Sequence, residues 1–77
     1  MKTVVKIKLT TISDVQQFNE ACRKLPCETS LISGRYIVDA KSIMGIYSLN
    51  LSNPIELEID GTEEDYDLSE IMKFEVN

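Results

Sequence analysis

The chain has 77 residues, of which 43% are apolar and 27% charged, with a net charge of −5 and no histidine. A chain of this length makes one small domain, residues 1–77, and the composition is that of a folded protein rather than a disordered one. The negative charge disfavours any role that depends on nucleic-acid phosphates or anionic lipid, which the long-range field repels.

Protein or small-molecule partners are therefore expected, with no nucleic acid and no membrane among them. No apolar run reaches about 18 residues, and Met1-Lys2-Thr3 leads into a strand-like pattern without a signal-peptide core, which points to the cytoplasm. Cys22 and Cys27 are expected to be free thiols, Cys22 on a buried helix face. With no histidine and only two thiols, neither a metal nor any other cofactor is expected.

Val5, Ile7 and Leu9 alternate with Lys6 and Lys8, the period of a half-buried strand over residues 2–9. Ser13, with Gln16 three residues on, has the form of a capping box that opens a helix. Val15, Phe18, Cys22 and Leu25 fall on its inner face, and Pro26 closes it by barring the α conformation to the residue before it. Glu28–Ser33 and Tyr36–Ala40 form two strands about a Ser33-Gly34 turn, with Thr29, Leu31, Tyr36, Val38 and Ala40 expected inward.

Ser42 then stands before Ile43, Met44, Gly45, Ile46, Tyr47, Ser48 and Leu49. Its hydroxyl is of the type that caps a helix by accepting from a backbone N–H a turn further on. The apolar residues after it are too dense for one buried stripe, so some must face water or a partner. Ser52-Asn53-Pro54 is a loop, and Ile55, Leu57 and Ile59 alternate with Glu56, Glu58 and Asp60 as a strand. Thr62 with Asp65 suggests a further cap, with Glu63, Glu64 and Asp65 at a helix start and Leu68, Ile71 and Met72 as its apolar stripe. The order β-α-β-β-α-β-α requires a four-stranded, mostly antiparallel sheet with the helices on one face.

Lys41-Ser42-Ile43-Met44-Gly45-Ile46-Tyr47-Ser48-Leu49 resembles the serine-bearing segment of the HPr family, the small phosphocarriers of the bacterial sugar phosphotransferase system, whose motif runs close to Lys-Ser-Ile-Met-Gly-Val-Met-Ser-Leu. The element order is that family's as well, which implies an α+β, HPr-like open-faced β-sandwich. The family's phosphorylated histidine opens the first helix in a motif close to Gly-hydrophobic-His-Ala-Arg-Pro. Counting back from Ser42 without gaps reaches Thr11, followed by Ile12, Ser13 and Asp14.

A phosphohistidine keeps a high transfer potential and forms on an imidazole whose pKa is about 6.5. A threonine hydroxyl with no histidine base offers neither property, and its phosphate ester is too stable to pass on. The family's arginine, suited to bidentate pairing with the phosphoryl oxygens, is Ser13 here, and Asp14 would repel them.

The resemblance implies regulatory phosphorylation of Ser42 by an HPr kinase, and Ile43, Met44, Ile46 and Tyr47 as the surface for a transcription regulator or an enzyme I-like protein. Lys41 would soften the added charge and Asp39 oppose it. The expectation is a non-enzymatic, protein-binding regulatory module similar to the catabolite-repression HPr paralogue, which also lacks the histidine. Two alternatives stand beside it: a phosphotransfer participant using Thr11, and an HPr fold serving an unrelated interaction, with Ser42 a plain helix cap.

Overall fold

The structure, a computed structural model, describes residues 2–76, so residues 1 and 77 of the expected domain lie outside the described residues. Seven elements follow the expected order: β1 (Thr3–Ile7), α1 (Ile12–Arg23), β2 (Thr29–Ser33), β3 (Tyr36–Asp39), α2 (Ile43–Tyr47), β4 (Ile55–Ile59) and α3 (Ser69–Met72). The strands form one open sheet in the order β1-β4-β2-β3, every pair antiparallel.

The period-2 alternation sets the sheet's two faces. Ile7, Leu31, Leu57 and Ile59 bury against Phe18, Cys22, Ile46 and Ile71 of the helices, while Val4 and Ile37 stand exposed on the other face. Phe18 meets Phe74 edge to face, with ring centroids 6.0 Å apart at 85°.

β1 is shorter than expected because its register with β4 ends at Ile7–Ile55. Leu9 is still buried beyond the strand. The opening of α1 also differs from expectation. Thr11 is the N-cap and Asp14 completes the capping box, whereas Ser13 lies within the first turn, its Oγ accepting from Gln17 Nε2 at 2.9 Å. The short Asp14 carboxylate reaches back to the Thr10 and Thr11 N–H groups, at 3.0 and 3.2 Å, and so fixes where the helix begins. The helix ends at Arg23, with Lys24 its C-cap, shortly before Pro26.

In the hairpin the two loop residues are Gly34 and Arg35, not Ser33 and Gly34. Gly34 has φ +60° and Arg35 does not share that region, the pattern of a type II′ turn. Tyr36, expected inward, is 71% exposed. It starts an edge strand, and α2 covers that strand only as far as Val38, against which Gly45 packs. A Cβ on Gly45 would lie 3.2 Å from Val38 Cβ and 3.3 Å from Ser42 Oγ, so the absence of a side chain there sets the spacing.

The Thr62–Asp65 pattern is real but opens no helix. Asp65 Oδ2 accepts from Thr62 N and Tyr66 N donates to Thr62 O, closing a single turn, and Glu63, Glu64 and Asp65 are solvated turn residues. α3 begins later, where Asp67 Oδ1 accepts from Ser69 N at 3.0 Å. After α3, Val76 N donates to Lys6 O and Lys8 N to Phe74 O, which closes the outer edge of β1.

Candidate functional site

The two positions singled out in the sequence lie on neighbouring helices. Thr11 caps α1 and Ser42 caps α2. An open groove of about 370 Å³ runs from Thr11, Ile12 and Val15 at the start of α1 to Tyr47 at the end of α2 and Leu51 beyond it, and Ser42 does not line it.

At Thr11 the hydroxyl oxygen accepts from Asp14 N at 3.0 Å, while the Asp14 carboxylate takes the N–H groups of Thr10 and Thr11. Those bonds, the one from Thr10 first, hold the Asp14 carboxyl below its ordinary value. The anion position at the mouth of α1 is thus filled by the chain's own carboxylate. A phosphoryl group on Thr11 would have to displace or face it. The nearby Lys8 ammonium donates to the carbonyl oxygens of Leu51 and Ser52. That of Lys73 donates to Gln17 Oε1 and Glu70 Oε2.

At Ser42 the exposed Oγ accepts from Gly45 N at 3.2 Å, and Ile46 N donates to Ser42 O at 3.0 Å, which starts the short helix. Ser42 N itself donates to Asp39 O at 2.9 Å. The Lys41 ammonium donates to Leu25 O at 2.7 Å, just past the carbonyl end of α1. Asp39 Oδ1 accepts from Lys41 N at 2.9 Å, so this carboxylate stays close to the cap.

The four apolar residues after Ser42 divide sharply. Met44 is 76% and Tyr47 44% exposed, Ile43 is half-buried against the core, and Ile46 is 0% exposed. Ile46 is therefore corrected from a docking residue to a core residue. Ile12, 69% exposed at the start of α1 and lining the groove with Tyr47, joins the apolar surface.

Sequence reasoning also missed Asn19. Its Nδ2 donates to Ala40 O at 3.2 Å, both residues being buried, and this bond ties α1 to the segment that presents Ser42. The signal was a polar residue four positions after Val15, in register with the apolar stripe. Cys22 and Cys27 are free thiols, as expected, and burial pushes the Cys22 thiol up to about 12. Among the described residues no cluster of metal-ligating side chains is present, and no helix is long and apolar enough to cross a membrane.

No family model and no curated protein matches the sequence. Solved structures do match. HPr-C-His from Thermoanaerobacter tengcongensis is 26% identical with a TM-score of 0.74, over 95% of this chain and 88% of that one. The phosphocarrier protein HPr from Bacillus anthracis str. Ames is 18% identical with a TM-score of 0.71, over 99% and 96%. The histidine-containing phosphocarrier protein of a mycoplasma is 19% identical with a TM-score of 0.68, over 96% and 90%. The last two likenesses speak for the fold alone. With the β1-β4-β2-β3 sheet, these likenesses give the chain the HPr-like open-faced sandwich fold, and the Lys41–Gly45 motif and the 26% identity to HPr-C-His point the same way, in a sequence that holds no histidine.

Proposed function

We propose that this chain is a non-catalytic regulatory module of the sugar phosphotransferase system, which binds protein partners beside α2 and takes a regulatory phosphate on Ser42. The observation that carries this reading is the contrast between the two caps. Both hydroxyls are exposed and accept one cap bond. Thr11, where the HPr proteins have their histidine, sits in a capping box closed by the Asp14 carboxylate, while the Ser42 cap has no side-chain carboxylate closing it and lies within an intact Lys-Ser-Ile-Met-Gly motif.

In this reading Ser42 Oγ attacks the γ-phosphorus of ATP on an HPr kinase, ADP departs, and the hydroxyl proton passes to a base of the kinase. The phosphate adds close to two negative charges to a chain already at −5, near Asp39, with the Lys41 ammonium held by the Leu25 carbonyl. Its effect is therefore felt by a partner: a cationic one gains contacts and an acidic one is repelled. Met44, Tyr47 and Ile12 supply the apolar part of the docking surface for a transcription regulator or an enzyme I-like protein, with Ile43 at its margin.

Incubation with ATP and an HPr kinase tests the switch. The intact mass is expected to rise by one phosphate, and Ser42→Ala to abolish the gain. A chain that stays unmodified beside a control HPr that is phosphorylated would remove Ser42 from the account. Tyr47→Glu and Met44→Glu are expected to weaken partner binding without unfolding the protein, and unchanged binding would move the docking surface elsewhere.

A further inference from the structure

The two edges of the sheet are treated differently. β1 is closed by the segment after α3, whereas at β3 Arg35, Tyr36, Ile37 and Asp39 are all exposed, Ile37 at 69%. Edge strands are normally blunted by lysine, proline or a bulge, and Tyr36-Ile37-Val38 carries none of these.

The hairpin decides which peptide groups point outward. A two-residue loop closes on a hydrogen-bonded pair, here Ser33–Tyr36, and antiparallel pairs then alternate. Leu31–Val38 is the next bonded pair, and Ala40 N donating to Thr29 O at 3.1 Å continues the series. Ile37, opposite Ile32, falls in a non-bonded pair and leaves both its N–H and its C=O on the open edge.

We propose that this edge takes a second copy of the chain, β3 against β3 in antiparallel register about a two-fold axis, with each Ile37 opposite its counterpart. The outward peptide groups of the two Ile37 residues then exchange both hydrogen bonds. The same register sets Arg35 of each copy opposite Asp39 of the other, so two ion pairs flank the isoleucines. The ion pairs among the described residues are Lys2–Glu58 and Lys73–Glu70, so neither Arg35 nor Asp39 is already engaged in one. On the sheet face away from the helices, Ile32 and Ile37 of both copies form a continuous apolar row.

A slip of two residues either way would set Ile37 against Arg35 or Asp39 and lose both charge pairs, so side-chain chemistry selects the same register as the backbone. The contact is one four-residue strand wide, so the association is weak and concentration-dependent. It rests on residues other than Ser42, Met44 and Tyr47, and stands or falls apart from the phosphorylation reading.

Sedimentation equilibrium across a concentration series, at about 0.15 M salt to screen the net charge, tests it. The apparent mass of the unmodified chain is expected to climb from one chain towards two. Arg35→Asp and Asp39→Arg should each hold it at one chain, because like charges then face each other. An equimolar mixture of the two variants should associate again as a heterodimer, since every reversed residue now meets its opposite. Ile37→Pro removes the outward N–H and the isoleucine side chain while breaking no bond to β2, a change edge strands tolerate, and should also hold the mass at one chain while circular dichroism shows a folded protein. A monomeric wild type at the highest concentration, association that survives Arg35→Asp or Ile37→Pro, or folded single variants that do not associate when mixed, would overturn the proposal.

Discussion

Replacing Asn19 by leucine isolates the bond that holds the Ser42 segment to α1. Leucine is close to asparagine in size, so the packing is largely kept while the donor to Ala40 O, 3.2 Å away, is lost. Ala40 is wholly buried, and a buried carbonyl deprived of its donor costs about 1–3 kcal/mol. The apolar side chain recovers part of this by its own burial, leaving a net loss of about 1–2 kcal/mol. In a domain of this size each kcal/mol moves the melting temperature by about 4–8 °C, so Asn19→Leu should melt about 5–15 °C below the wild type by circular dichroism. Amide exchange at Lys41 and Ser42 should quicken in the same variant, because the strut lies just before them. A leucine variant that melts at or above the wild type would mean that the bond to Ala40 O adds no stability and reduce Asn19 to a tolerated polar residue.

Ser42→Ala should lose about 0.5–1 kcal/mol in urea unfolding, since one exposed cap bond to Gly45 N disappears, while Ser42→Asp should lose less because its carboxylate can accept the same bond. Asp14 gives a pH test. Its folded value lies below the ordinary 3.8, so its stabilisation is complete above the unfolded value and is lost as pH falls through the folded one. The stability gap between wild type and Asp14→Ala should accordingly shrink as pH drops below 3.8, and an Asp14 titration midpoint at or above 3.8 by NMR would contradict it. For the thiols, a mildly alkaline disulfide reagent should label Cys27 in the native protein and Cys22 only after unfolding, because Cys22 is buried and its thiol is pushed up to about 12. Prompt labelling of both would mean that the α1 face is not closed.

Most of the fold was legible because its strands have one wet and one dry face. Ile55, Leu57 and Ile59 bury as their alternation requires, and Val15, Phe18 and Cys22 line α1 as their spacing requires. What misled was local competition between equivalent signals. Thr11-Ile12-Ser13-Asp14 and Ser13-Asp14-Val15-Gln16 both have the form of a cap, and the shorter, charged Asp14 prevails by reaching two N–H groups.

Thr62–Asp65 makes the bonds of a helix start, yet with no apolar stripe directly behind it the chain turns only once before Leu68 and Ile71 find the core. Tyr36 obeys the strand period but lies beyond the reach of α2, a tertiary fact that periodicity does not hold. At the site, Ser42 as a cap could be read from residue type and position. The separation of Ile46 from Met44 and Tyr47 could not, because in so dense an apolar helix only the packed neighbours decide which side is core.

In the proposed reading any phosphoryl chemistry in this chain occurs at Ser42 and not at Thr11, which stands where the HPr proteins carry their histidine. Site-mapped mass spectrometry after parallel incubations, one with ATP and an HPr kinase and one with phosphoenolpyruvate and enzyme I, tests it most directly. One acid-stable phosphate on Ser42 in the first incubation and none in the second is the predicted result. An acid-labile adduct in the second, or a phosphate on Thr11 in either, would contradict it.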